Sequence, residues 1–146
     1  KADPYGWQAA LRAANYYIEK EDYTKAKQPL ETILPFSHKI SYLQIKIKTA
    51  LAGIYFLEKD TTKALSELES VEKIPNNPIL NQIQLFKAQL LYSIGQKDTA
   101  TQILSKLSTN PIFKNNPMFK NFSFSSNEKD PVVTQAKFWL NFVSFL

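Results

Sequence analysis

Ala52-Gly53-Ile54-Tyr55, followed by Thr61-Thr62-Lys63-Ala64-Leu65-Ser66-Glu67-Leu68-Glu69-Ser70-Val71, is the stretch on which the fold turns. Its small and apolar positions read Ala52-x-x-Tyr55, then Thr61-x-x-Ala64-x-x-x-Leu68-x-x-Val71. The same spacing occurs upstream as Ala14-x-x-Tyr17, then Tyr23-x-x-Ala26-x-x-x-Leu30-x-x-Ile33. It returns downstream as Ala88-x-x-Leu91, then Lys97-x-x-Ala100-x-x-x-Leu104-x-x-Leu107. The alanine of the second half recurs at 26, 64 and 100, in steps of 38 and 36. Spacings of three and four put the apolar residues on one face of a helix. A small residue at each crossing lets a partner backbone come close. Self-similarity at a period of this size marks stacked supersecondary units, none of which can bury its apolar face alone.

Punctuation along the chain agrees with paired helices. Asp3-Pro4 is a helix start, an acceptor followed by a proline whose missing N–H is harmless there. The first helix is expected from about Tyr5 to Lys20. Asp22 caps the second, whose apolar set is Tyr23, Ala26, Leu30, Ile33 and Leu34. Pro35 should stop it, and Pro29 inside it should bend or loosen it by removing a backbone donor. Ser37 or Lys39 begins the third, with Ile40, Leu43, Ile47, Leu51, Ile54, Tyr55 and Leu57 on its stripe. Asp60 or Thr61 caps the fourth, which carries Ala64, Leu65, Leu68 and Val71. Pro75-Asn76-Asn77-Pro78 breaks the pattern. The fifth takes Ile79 to Ile94, ended by Gly95, and the sixth runs from about Asp98 to Leu107.

These repeats resemble the tetratricopeptide-repeat family over about residues 7 to 110. Glu58-Lys59-Asp60-Thr61-Thr62-Lys63-Ala64-Leu65 and Ile94-Gly95-Gln96-Lys97-Asp98-Thr99-Ala100 look like its inter-helix turn. The aromatic and glycine of the strongest repeats are largely missing, and Trp7 lies outside the register of the first copy. The resemblance implies an all-α, right-handed superhelical stack of about three antiparallel helix hairpins over 1–110. Within the family, Ala88 to Ala100 is similar to the YfgM-like group of bacterial envelope proteins. That group carries degenerate repeats after an N-terminal membrane helix, facing the periplasm. The chain opens on Lys1, so we expect a cut or processed form whose anchor lies upstream. The expected location is periplasmic or envelope-associated, with the cytoplasm as the alternative.

From Asn110 the pattern changes. Asn110-Pro111, Asn115-Asn116-Pro117 and Ser125-Ser126-Asn127 are turn clusters. Between them lie Ile112, Phe113, Met118, Phe119, Phe122 and Phe124, too apolar for a solvated linker. They are expected to pack back on the last hairpin as a short helix or strap, so that 111–146 completes the same domain. Asp130-Pro131 starts a last helix that is apolar nearly all round. It is either a cap over the exposed end of the stack, or a helix buried by a partner, a second copy or further chain. In the second case Phe138, Trp139, Phe142 and Phe145 form an interface. No apolar run reaches the roughly eighteen residues of a membrane span.

Composition excludes much chemistry. There is no cysteine and one histidine, His38, at an expected turn. A disulfide, a thiolate nucleophile, a catalytic triad or a histidine-rich metal site cannot be assembled from these. No glycine-rich phosphate loop occurs among the three glycines. Glu67/Glu69 and Glu58/Asp60 are read as solvated pairs. The net charge is +5, yet seventeen of the eighteen basic residues are lysines interleaved with acids, and Arg12 is the single arginine. That is a solvated surface, not a nucleic-acid footprint, which favours arginine. Neither enzyme activity nor a cofactor is expected.

Surface shape remains. In the family, the first helix of each hairpin lines a concave face. Carried over, the resemblance puts Gln8, Arg12, Asn15, Lys46, Thr49, Gly53, Phe56, Gln82, Phe86, Gln89 and Tyr92 on that face. Asn15 matches one polar position of the family's carboxylate clamp. The other clamp positions hold Leu11, Ala50, Gln82 and Phe86, so that ligand is rejected. A protein or peptide partner with apolar anchors is expected instead, recognised by Arg12, Asn15, Lys46, Phe56, Phe86, Gln89 and Tyr92. The competing readings are an oligomerisation module built on the C-terminal helix and a plain spacer.

Overall fold

A computed structural model describes residues 4–111 and 131–144. Seven α-helices occur among these residues: α1 (Pro4–Glu19), α2 (Tyr23–Ile33), α3 (Ser41–Leu57), α4 (Thr61–Glu72), α5 (Leu80–Ser93), α6 (Lys97–Ser108) and α7 (Pro131–Ser144). A 3-10 turn, Leu34–Ser37, follows α2. No strand is present among the described residues. The most extensive packing is within α1/α2 and α3/α4, followed by α3 against α7 and then α5/α6, with α2 against α3 and α4 against α5 joining one hairpin to the next. The caps expected at Asp3 and Asp130, the aromatic strap of 112–130 and Phe145 lie outside the described residues.

Each hairpin closes through the same backbone device. Residues 20–22, 58–60 and 94–96 link the paired helices. Within these turns Glu21 (φ 59°), Lys59 (φ 61°) and Gly95 (φ 87°) adopt the left-handed conformation. At 59 and 60, the Lys59 N–H donates to Phe56 O (3.0 Å) and the Asp60 N–H to Tyr55 O (2.9 Å). At 21 and 22, the acceptors are Ile18 O (3.0 Å) and Tyr17 O (2.9 Å). At 95 and 96, they are Tyr92 O (3.1 Å) and Leu91 O (2.9 Å). This is the Schellman closure, which satisfies carbonyls that a helix end leaves without partners. Five residues beyond each left-handed position stands the repeat alanine. Ala26, Ala64 and Ala100 are fully buried, as are their counterparts Ala14, Ala52 and Ala88. Asp22 and Asp60 cap the second helices by accepting from Lys25 N and Lys63 N, each at 3.2 Å.

Departures from the expected boundaries have local causes. Pro29 lies inside α2, which continues to Ile33. The α-helix stops ahead of Pro35 as expected, and the chain goes on as the 3-10 turn, where Ser37 Oγ donates to Leu34 O at 2.6 Å. That turn delays α3 to Ser41 and leaves Ile40 at its N-terminus, 43% exposed and off the expected stripe. Between α4 and α5, Asn77 does the work of the break. Its Nδ2 donates to Val71 O (3.1 Å) and its Oδ1 accepts from Ile79 N (2.9 Å), an Asx turn between two prolines.

The C-terminal helix does not cover the end of the stack as an end cap would. α7 packs on α3, and to a lesser degree on α5. The end formed by α6 needs no cover, because Asp98, Thr101, Gln102 and Ser105 on its outer side are exposed polar residues. α3 instead is buried nearly all round, with α2, α4 and α7 packed about it. A helix apolar on every face belongs in such a central position.

The turns yield a stability test. A β-carbon in the left-handed region costs about 1 kcal/mol, and glycine removes that cost. Lys59→Gly should therefore raise the midpoint of thermal unfolding by a few degrees. Gly95→Lys should lower it by a similar amount, measured by circular dichroism.

Candidate functional site: the face of the first helices

α3 carries two stripes. Leu43, Ile47 and Leu51 form the one legible from apolar spacing. Ile45, Thr49, Gly53 and Phe56 form the other, at spacings of four, four and three, and all are buried. Thr49 does not interrupt this stripe, because its hydroxyl is consumed by Ile45 O at 2.7 Å. In α5, Phe86 and Gln89 are buried beside it.

α7 lies over this face with Ala136, Trp139, Leu140 and Val143, a stripe at i, i+3, i+4 and i+7. Ala136, Trp139 and Val143 are fully buried. The Trp139 indole stacks on the Phe86 ring, with centroids 4.9 Å apart and planes 3° from parallel. Phe86 in turn lies 6.1 Å from Phe56. The Trp139 Nε1–H donates to Gln89 Oε1, so the one polar atom of the indole is satisfied on burial. A β-carbon at Gly53 would sit 3.0 Å from the Leu140 side chain and 3.7 Å from the Ala136 carbonyl oxygen. Glycine in a helix interior costs roughly 0.5–1 kcal/mol relative to alanine. Here it lets α7 come down onto α3. Phe138 and Phe142 set their rings edge-on to Trp139, at 5.0 and 5.5 Å. Against α1 the fit is looser. A cleft of about 230 Å³ remains there, lined by Asn15, Ile18, Glu19, Lys137, Leu140 and Asn141.

The expected recognition residues thus divide into two groups. Phe56, Phe86 and Gln89 sit together, covered by the chain's own α7. Arg12 and Asn15 are exposed on α1, and Asn15 borders the cleft. Lys46 is half-buried, its ammonium 4.7 Å from the Tyr42 ring and 5.9 Å from that of Trp7. Burial lowers its pKa below the ordinary lysine value. Tyr92 is half-buried, with the Lys97 ammonium 5.3 Å from its ring. Among the expected interface residues of α7, Trp139 is core, Phe142 is half-buried and Phe138 is 43% exposed.

The acidic pairs are not uniformly solvated. Glu67 follows Ala64 by three residues and precedes Val71 by four, which turns it inward. Its Oε2 is buried without a hydrogen bond. Burial pushes its carboxyl above the ordinary range; Lys48 opposes this and Glu31 adds to it. Glu58 accepts from Lys27 Nζ at 2.7 Å, and Lys27 also lies 4.9 Å from the Tyr55 ring. Glu72 pairs with Lys87 at 3.1 Å across the α4–α5 junction. These contacts tie one hairpin to the next. Among the described residues, no cluster of histidine, aspartate and glutamate is placed to hold a metal ion. None of the described helices is long and apolar enough to cross a membrane.

Compared with family models, curated proteins and solved structures, the chain matches none.

Two outcomes follow from the packing and the charge. Trp139→Ala should cost about 3–5 kcal/mol in urea unfolding, whereas Phe138→Ala should cost well under half as much. Glu67 is an acid held above its unfolded-state value. Its penalty is absent when both states are protonated, and it grows as the pH rises through the raised folded value. Glu67→Gln should therefore raise the unfolding midpoint at pH 7, and this gain should vanish in acid below the ordinary carboxylate range.

Proposed function

We propose that this chain is a non-enzymatic, tetratricopeptide-like interaction scaffold that binds a segment of another protein on the groove formed by its first helices. The observation that carries this reading is the seat of α7. A face that accepts an apolar helix by ring stacking, a satisfied indole N–H and a glycine notch has the chemistry of helix-in-groove recognition. The three matching hairpin closures and six buried alanines support the family resemblance. On this reading Arg12, Asn15, Lys46 and Tyr92, all at least partly exposed, make polar contacts with a longer partner segment; Asn15 borders the cleft beside α7. By the resemblance, the scaffold works in a bacterial envelope, tethered through a segment upstream of Lys1 and facing the periplasm.

A photoreactive amino acid at Arg12, Lys46 or Tyr92 in cells tests this reading. The expected result is a discrete adduct with a partner protein, strongest at positions that flank α7 and lost at a control position such as Gln102 on α6. Equal labelling at all positions, or none at any, would count against a groove scaffold. The alternative, an oligomerisation module, rests on the 43% exposure of Phe138 beside half-buried Phe142. It requires light scattering to show a dimer that Phe138→Asp dissolves.

A further inference from the structure

We propose that α7 is a ligand held in cis, and that the external partner of this face is an amphipathic helix of the same chemistry, which competes with α7 for the seat. This rests on the reading of the first-helix face as a binding surface, and it specifies what that surface takes. The required pattern is read directly from α7: a small residue over Gly53, an aromatic ring three residues on, and apolar residues next to it and four residues after it. In α7 these are Ala136, Trp139, Leu140 and Val143.

Three observations separate α7 from the rest of the core. First, the other helices pack in pairs with their neighbours in sequence, while α7 packs on α3 and α5 and not principally on α6. Second, the floor beneath it is not uniformly apolar. Gln89 accepts from the Trp139 indole N–H, so any helix that takes this seat must bring a donor to the same amide. Third, α7 fits closely on α3 but leaves the cleft against α1, bordered by Asn15 and Asn141. A trans helix shifted toward α1 would gain the Asn15 amide as an additional hydrogen-bond partner.

Tethering sets the balance. A segment in cis binds intramolecularly, at an effective concentration that a free peptide at assay concentrations does not match, so a free helix of equal intrinsic affinity competes poorly until the cis helix is weakened. The test uses the full chain and a fluorescent peptide of residues 131–146 carrying lysines at its ends for solubility. Anisotropy should show the peptide binding Trp139→Ala at least tenfold more tightly than wild type. Adding Gly53→Val to the same chain should abolish binding, and so should Trp139→Ala placed in the peptide. Equal affinity for wild type and Trp139→Ala, or binding indifferent to Gly53→Val, would overturn the proposal.

If Trp139→Ala loses its helical circular dichroism, hydrogen exchange on the wild-type chain decides instead. The α7 amides should then exchange through an opening that leaves α3 protected. Exchange of α7 and α3 only together would contradict a displaceable helix. The outcomes separate the two claims. Peptide exchange without cellular adducts keeps the helix seat and drops the scaffold. Cellular adducts without peptide exchange keep the scaffold and drop the cis ligand.

Discussion

Trp139 lies flat on Phe86, its N–H turned to Gln89, and this contact orders the middle of the molecule. A tryptophan ring is the largest fully buried side chain among the described residues. Burying it removes much apolar surface from water, but only if the indole N–H keeps a partner. Gln89 supplies that partner from the adjoining turn of α5. The stacked ring then fixes the rotation of α7 about its axis. That rotation places Leu140 and Ala136 over Gly53, the one position of α3 where a helix can approach without meeting a side chain. Removing the indole would leave an amide on the floor of the face and a void against Phe86. Adding a side chain at Gly53 would lift the same helix from below.

The scaffold under this contact is made by repetition at two levels. The alanines set how closely paired helices approach, and the left-handed turns set where each pair reverses. Both recur with the same offsets in the three hairpins. The turns tolerate Glu21 and Lys59 where glycine would fit without strain, because the closing hydrogen bonds and the following aspartate caps hold the backbone in place. Lysine–carboxylate contacts then join neighbouring hairpins at partly buried positions. There, screening by solvent is weaker than for ordinary surface pairs.

Much of the fold was legible in the sequence because small residues at constant spacing constrain packing directly. Ala26, Ala64 and Ala100 predicted the hairpins, and Asp22 and Asp60 predicted the starts of their second helices. Three things were not legible. The left-handed turns at 21 and 59 lack the glycine that advertises them. The inner stripe of α3 was read as a concave binding face, yet its neighbours could not be named, because Thr49 and Gly53 break the apolar signal that would have marked it as covered. For the same reason Phe56, Phe86 and Gln89 were read onto one face, while the helix that sits on them was read as an end cap or as a helix buried by a partner. Only the spacing of Ala136, Trp139, Leu140 and Val143 carried a hint, hidden by the phenylalanines around it. Glu67 was misread as solvated because a charge on a helix is normally outward; its position in the buried register was the better guide.

The seat of α7 on the first-helix face is the claim on which the rest of the account stands. A double-mutant cycle between Trp139 and Phe86, each replaced by leucine and followed by urea unfolding, measures it most directly. Stacked aromatic pairs couple by about 0.5–1.5 kcal/mol beyond the area they bury, and a coupling in that range is the predicted result. Additive effects of the two replacements, with no coupling beyond experimental error, would mean that the rings do not touch and that α7 lies elsewhere.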